Sequence, residues 1–143
     1  MPDLSPFALA AIAITACLIA IMVFFAAVVT PAVFRTLGRE AAGPVVRALF
    51  PKYYLGGAGL AGTAAILAGI DCALAPAILL GATALLFTAE RFVLLPVIDR
   101  YRPGQMAGEA EATRKFGALH RLSVFLNMGQ LLASAAAAAW LAA

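Results

Sequence analysis

Four stretches of this chain contain no Asp, Glu, Lys or Arg: Phe7–Thr30, Tyr54–Ile70, Cys72–Ala89 and Leu122–Ala143. A helix rising 1.5 Å per residue needs about 20 apolar residues to cross a hydrocarbon core about 30 Å thick. The four runs meet that length and take up most of the sequence. Composition agrees: 64% of residues are hydrophobic and 12% charged, against about 25% charged in a soluble domain. The mean hydropathy is +1.00. The sequence therefore predicts an all-α integral membrane four-helix bundle. It forms one transmembrane domain over 1–143, with spans at about 7–30, 54–74, 76–98 and 117–142. The start of the chain carries Asp3 and no Lys or Arg before a long apolar run, so the first span is expected to be retained rather than cleaved as a signal peptide.

All ten Lys and Arg residues fall in two places. Arg35, Arg39, Arg47 and Lys52 lie between spans one and two; Arg91, Arg100, Arg102, Arg114, Lys115 and Arg121 lie between spans three and four. The connection around Asp71 has none. The positive-inside rule puts both basic loops in the cytoplasm and both termini outside, and a bacterial inner membrane is the expected location. The net charge of +3 is thus a topology signal, and no basic surface domain exists to bind nucleic acid. Cys17 and Cys72 belong to no Cys-x-x-Cys or Cys/His cluster and read as small apolar residues.

The connections carry their own signals. Thr30-Pro31 closes span one. Over residues 38–53, Ala42, Val45, Val46, Leu49 and Tyr53 share one helical face, with Arg39, Gly43 and Arg47 on the other. That pattern predicts a short cytoplasmic helix lying in the interface, with Tyr53 and Tyr54 marking the start of span two. Span two holds Ala58-x-x-x-Gly62 and Gly59-x-x-x-Thr63, which let a neighbouring backbone approach closely. The alternative is a ligand passage lined by bare backbone. Asp71 and Pro76 predict a tight turn between spans two and three. Tyr101-Arg102-Pro103-Gly104 should end span three, with a helix resuming at about Gln105 and running into span four.

Two constellations could carry chemistry. The first is a polar stripe in span four: His120, Ser123, Asn127, Gln130 and Ser134. Their three–four–three–four spacing puts them on one helical face, and polar groups in lipid must find partners within the protein. Interhelical hydrogen bonding suits Gln130 and Ser134. His120 can also change charge near neutral pH or relay protons. The second is Glu90-Arg91, at the end of the third apolar run. These charges either face the bundle interior or mark the interface, with Arg91 snorkelling to headgroups. Adjacent residues on a helix point about 100° apart, so their partners should lie on another helix; His120, Arg121 and Arg35 are the candidates by depth. The candidate cluster is accordingly Glu90, Arg91, His120, Arg121, Ser123 and Asn127, with Gln130 and Ser134 as its extension. One His in the chain gives little support to haem, and neither a metal nor another cofactor is implied. No Ser-His-Asp order, Gly-x-Ser-x-Gly, His-Glu-x-x-His or phosphate loop is present, so enzyme chemistry has no support in motifs.

Pro31-x-x-Phe34, Phe50-Pro51-x-Tyr53, Arg91 and Phe116-x-x-Leu119-His120-x-x-Ser123-x-x-x-Asn127 together resemble the transmembrane protein 205-like family of small four-span proteins. The last pattern is the most specific. The resemblance implies a four-helix membrane protein of unestablished activity. It also implies a link, among some relatives, to tolerance of toxic compounds, which points towards transport. It carries over no catalytic residue.

Three functions fit these features. One is transport or permeation of a small solute or ion through the polar cluster on the cytoplasmic half. Another is a non-catalytic accessory or assembly subunit, or a homo-oligomer within the bilayer. The third is a membrane-embedded redox or lipid-handling enzyme.

Overall fold

The computed structural model describes residues 4–143 apart from the Arg39 side chain; Asp3, which bears on the first span, lies outside the described residues. Four helices make up the fold: α1 Pro6–Gly38, α2 Glu40–Ile70, α3 Leu74–Met106 and α4 Ala110–Leu141, all long and apolar enough to cross a membrane. The described residues form no strand.

Each reversal has a local cause. Ser5 caps α1, its Oγ accepting from the Ala8 N–H at 3.0 Å and donating to the Asp71 carboxylate. This ties the start of α1 to the α2–α3 turn. Gly38 joins α1 to α2 with φ +70°, a backbone region that only glycine enters freely. The α2–α3 turn is a Schellman closure. The Ala73 N–H bonds the Ala68 carbonyl at 2.9 Å and the Cys72 N–H bonds Gly69 at 3.1 Å, with Cys72 at φ 59°. The α3–α4 turn repeats the device around Gly108, through Glu109 N–H to Gly104 at 2.9 Å and Gly108 N–H to Gln105 at 3.2 Å.

The boundaries differ from the sequence reading in four respects. Residues 40–53 form no separate interfacial helix; they are the first turns of α2, continuous with span two. Pro103-Gly104 does not end span three, because a proline near a helix end is tolerated and the left-handed residue that closes the helix is Gly108. Span four starts at Ala110 rather than near Gln105, and α3 begins at Leu74, two residues before Pro76.

In the bundle α1 packs on α2, α2 on α3, α3 on α4 and α4 back on α1, so α2 and α4 face each other across the diagonal. At the Asp71 end the core is small and tight: Ala11, Ala64, Ala68, Leu80, Ala137 and Leu141. Towards the basic connections it becomes aromatic, with Leu18, Met22, Tyr53, Tyr54, Phe87 and Leu95. Small side chains let helices close up, whereas rings hold them apart. The close-packed face of α2 is Gly57, Ala61, Ala64 and Ala68, all buried; Gly59 and Thr63 point outward.

Both descending helices open by one residue at equivalent places. α1 contains a π-helical turn at Phe25–Val29 and α3 one at Glu90–Leu94. Each precedes a proline, Pro31 or Pro96. A proline inside a helix offers no N–H and crowds the carbonyl four residues before it, here Ala27 or Phe92. Widening the turn relieves both problems.

Candidate functional site

Glu90 is the first residue of the α3 π turn and is 1% exposed. Its Oε2 accepts from Gln130 Nε2 at 2.9 Å. Its Oε1 is buried and has no hydrogen-bond partner among the described residues. The partner of Glu90 is therefore Gln130, nearly three turns deeper on α4 than His120, and not His120, Arg121 or Arg35. The geometry has a simple origin: Ser123, Gln130 and Ser134 are all buried and Asn127 half-buried, so the stripe faces the bundle axis.

From Gln130 the polar contacts run back towards the basic end. Asn127 Nδ2 donates to Tyr53 Oη at 2.7 Å and approaches Gln130 Oε1 at 3.5 Å. Tyr54 Oη and Ser123 Oγ share a hydrogen bond at 2.9 Å. These two tyrosines cross the diagonal from α2 to α4, filling the wide end of the bundle. Their rings are held by aromatic neighbours. Phe25 stacks on Tyr53 at 4.5 Å, Phe50 on Tyr54 at 5.6 Å, and Phe87 meets Tyr53 edge-on at 5.8 Å.

Two clefts open beside this layer. The larger, about 420 Å³, separates α1 from α4, between Met22, Ala26 and Ala27 on one side and Val124, Asn127 and Met128 on the other, with Phe50, Tyr53 and Tyr54 behind. Ala26, Ala27, Val124 and Met128 are exposed on the outer surface of the bundle, so this cleft opens sideways. The smaller, about 260 Å³, lies at the basic end of the bundle and takes lining residues from all four helices, including Phe34, Arg47, Ile98, Arg102 and Phe116. Thr30, Phe50, Tyr54, His120 and Ser123 line both. The two are thus neighbours across a shared wall, each on the order of a small-molecule pocket in size.

The sequence candidates separate into groups. Glu90, Ser123, Asn127 and Gln130 come together. His120 is exposed, stacks on Phe116 at 6.3 Å, and stands where the two clefts meet. Ser134 is buried one turn beyond Gln130, its Oγ without a partner among the described residues. Arg91 and Glu90 part company: Arg91 is half-buried, with its guanidinium 5.1 Å from the Phe92 ring. Arg121 is exposed and lines neither cleft. Tyr53 and Tyr54, which the sequence marks as interfacial anchors, belong to the site. Their depth matches that of the stripe, and this was the available signal. Among the described residues no three His, Cys, Asp or Glu side chains gather as a metal site would require.

Arg47 and Arg102 both approach Asp99 Oδ1, at 4.0 and 3.2 Å, tying α2 to α3 at the mouth of the smaller cleft. Arg102 also lies 5.3 Å over the Phe116 ring.

No curated protein and no solved structure matches the chain. A family profile does match, over residues 13–106; it takes in Tyr53, Tyr54 and Glu90 and stops short of the α4 stripe. It names an uncharacterised domain and not the transmembrane protein 205-like family that the motifs resemble. With more than half of its length matched, the chain belongs to the family described as a domain of unknown function, DUF4149.

Proposed function

We propose that this small membrane protein transports, or lets permeate, a solute that it takes from the bilayer through the cleft between α1 and α4. The observation that carries the reading is that two clefts adjoin at Thr30, Phe50, Tyr54, His120 and Ser123, one opening sideways and the other towards the basic connections; transport requires that this shared wall give way to the solute. A molecule dissolved in the hydrocarbon could enter beside Ala27 and leave past His120. Tyr53 and Asn127 line the sideways cleft, and the contacts run from them through Gln130 to Glu90 in the interior behind it. A buried carboxyl in a membrane bundle is costly to retain, and such groups mark transport pathways. The positive-inside rule places the basic mouth in the cytoplasm of a bacterial inner membrane, and the motif resemblance to transmembrane protein 205-like proteins agrees with transport.

Proteoliposomes test this. A fluorescent single-chain amphiphile, with dithionite quenching from outside, reports movement between leaflets. The protein should accelerate it, and Ala27→Trp, which fills the cleft from its exposed rim, should return the rate to that of protein-free vesicles. Wild-type rates equal to those of empty vesicles, or full activity in Ala27→Trp, would reject the reading.

We also propose self-association or docking in a larger membrane complex through the outer face of α2. A Cβ added at Gly56 or Gly59 would meet nothing within 4 Å, so this small-residue strip is open to a second helix. Cross-linking of Gly59→Cys in native membranes, above the background from Cys17 and Cys72, checks it; no cross-link above background counts against it.

A further inference from the structure

The two clefts differ in chemistry in a way that specifies a ligand. The sideways cleft is walled mostly by apolar and aromatic groups, with Asn127 and, at the shared wall, Thr30, His120 and Ser123 as its polar ones. The smaller one carries Arg47 and Arg102, with His120 where the two adjoin, while among the described residues no acidic side chain lines either space. Arg47 and Arg102 share a single carboxylate, Asp99, which leaves the pair with one positive charge in excess. Tyr54 and Ser123, where the spaces meet, add hydroxyl groups.

We infer that the solute is an anionic amphiphile with a single chain, lying with its tail in the α1–α4 cleft and its carboxylate or phosphate at Arg47 and Arg102. The inference rests on the transport reading above and names its substrate class. The argument is one of complementarity. A tail entering from lipid exchanges one apolar surrounding for another. Selection must then come from the headgroup, and guanidinium groups favour planar or tetrahedral oxyanions through paired hydrogen bonds. A zwitterionic headgroup would bring its cationic part against the same arginines. A free anion would gain nothing from the cleft behind.

Spin-labelled stearate and a spin-labelled lysophosphocholine of equal chain length, each mixed with the full chain in bilayers, separate these cases. The fraction of motionally restricted label measures association. Stearate should associate about tenfold more strongly than the choline lipid, the effect expected of one charge-assisted contact. Arg102→Gln should remove that preference and Arg102→Lys keep part of it. Arg47→Gln serves as the second variant should Arg102→Gln not fold. Arg100→Gln, exposed and lining neither cleft, should leave the preference intact. Excess inorganic phosphate should not release the stearate. Equal association of both lipids, with Ala27→Trp releasing both, overturns the headgroup assignment and leaves the cleft reading standing. Restriction of either label that Ala27→Trp does not change sinks the cleft reading itself. Release by inorganic phosphate would make the mouth a free-anion site and overturn the amphiphile.

Discussion

Replacing Gln130 by Leu tests whether α4 is held to α3 by one buried contact. Glu90 is 1% exposed and has, among the described residues, one hydrogen bond, from Gln130 Nε2 at 2.9 Å. The other carboxyl oxygen is already unpartnered. In Gln130→Leu both oxygens are stranded, at a cost of about 1–3 kcal/mol. Glu90→Leu strands only the Gln130 amide N–H₂ and removes a carboxyl that is expensive to bury; its cost should be smaller. The double replacement leaves two leucines face to face and should be close to the parent, since removing both buried polar partners is often neutral. The coupling should therefore exceed the average of about 0.6 kcal/mol for hydrogen bonds between membrane helices and approach the upper end, about 1.7 kcal/mol. The neighbouring groups that could substitute are already engaged: Asn127 donates to Tyr53, and the Ser123 hydroxyl beside Glu90 is paired with Tyr54. Unfolding in mixed detergent micelles, followed for the parent and three variants, gives the cycle. Additivity within about 0.3–0.5 kcal/mol would refute the claim that Gln130 is the partner on which Glu90 depends.

Three further outcomes follow from the same geometry. Gly57→Ala should destabilise by about 1–3 kcal/mol, as overpacked cores do, because the new Cβ would lie 2.8 Å from Phe87 Cζ; Gly59→Ala, in open space on the same helix, should be neutral or slightly stabilising, and equal effects in the same micelle assay would contradict the packing. Cys72→Gly should raise stability by about 1 kcal/mol by relieving a left-handed residue at φ 59°; a lowered melting temperature would argue against the Schellman turn. Asp99→Asn should cost no more than about 1 kcal/mol, since its arginine partners are partly exposed and such pairs are weak, and a larger loss that persists in high salt would mean that the pair is shielded from solvent.

The architecture was legible in the sequence because hydrocarbon thickness leaves so little freedom: four uncharged runs and one connection without basic residues sufficed for four antiparallel helices. The helix ends were less so. Pro103-Gly104 carries stop residues, yet the backbone takes its left-handed residue four positions later at Gly108, and a single sequence does not say which glycine does so. The site was half legible. Spacing alone put Ser123, Asn127 and Gln130 on one face, but it could not say how far α4 slides along α3. That offset decides that Glu90 meets Gln130 instead of His120. Tyr53 and Tyr54 were misplaced for a related reason. Aromatic residues at a span's end are ordinarily interfacial anchors, and only packing of α2 against its neighbours turns these two inward to Ser123 and Asn127.

The two π turns connect fold to site. Phe25 and Glu90 each begin such a turn, six residues before a proline, so the helices that carry them are re-phased at the same level of the bundle. In α1 Phe25 continues the inward spacing of Leu18 and Met22 and stacks on Tyr53, and the extra residue after it leaves Ala26 and Ala27 at the rim of the sideways cleft. In α3 Glu90 continues the buried spacing of Leu80, Thr83 and Phe87, and the extra residue falls after it, so that Phe92 and Val93 stay outside while Leu95 and Ile98 return to the core. An unbroken α-helix through either segment would rotate everything beyond it by about 100°, taking Leu95 and Ile98 out of the core or moving the rim of the cleft. The prolines thus do more than end spans. By forcing a widened turn at one depth in both helices, they set the tight alanine end apart from the open aromatic end, and the cleft and the buried carboxyl both lie at that boundary.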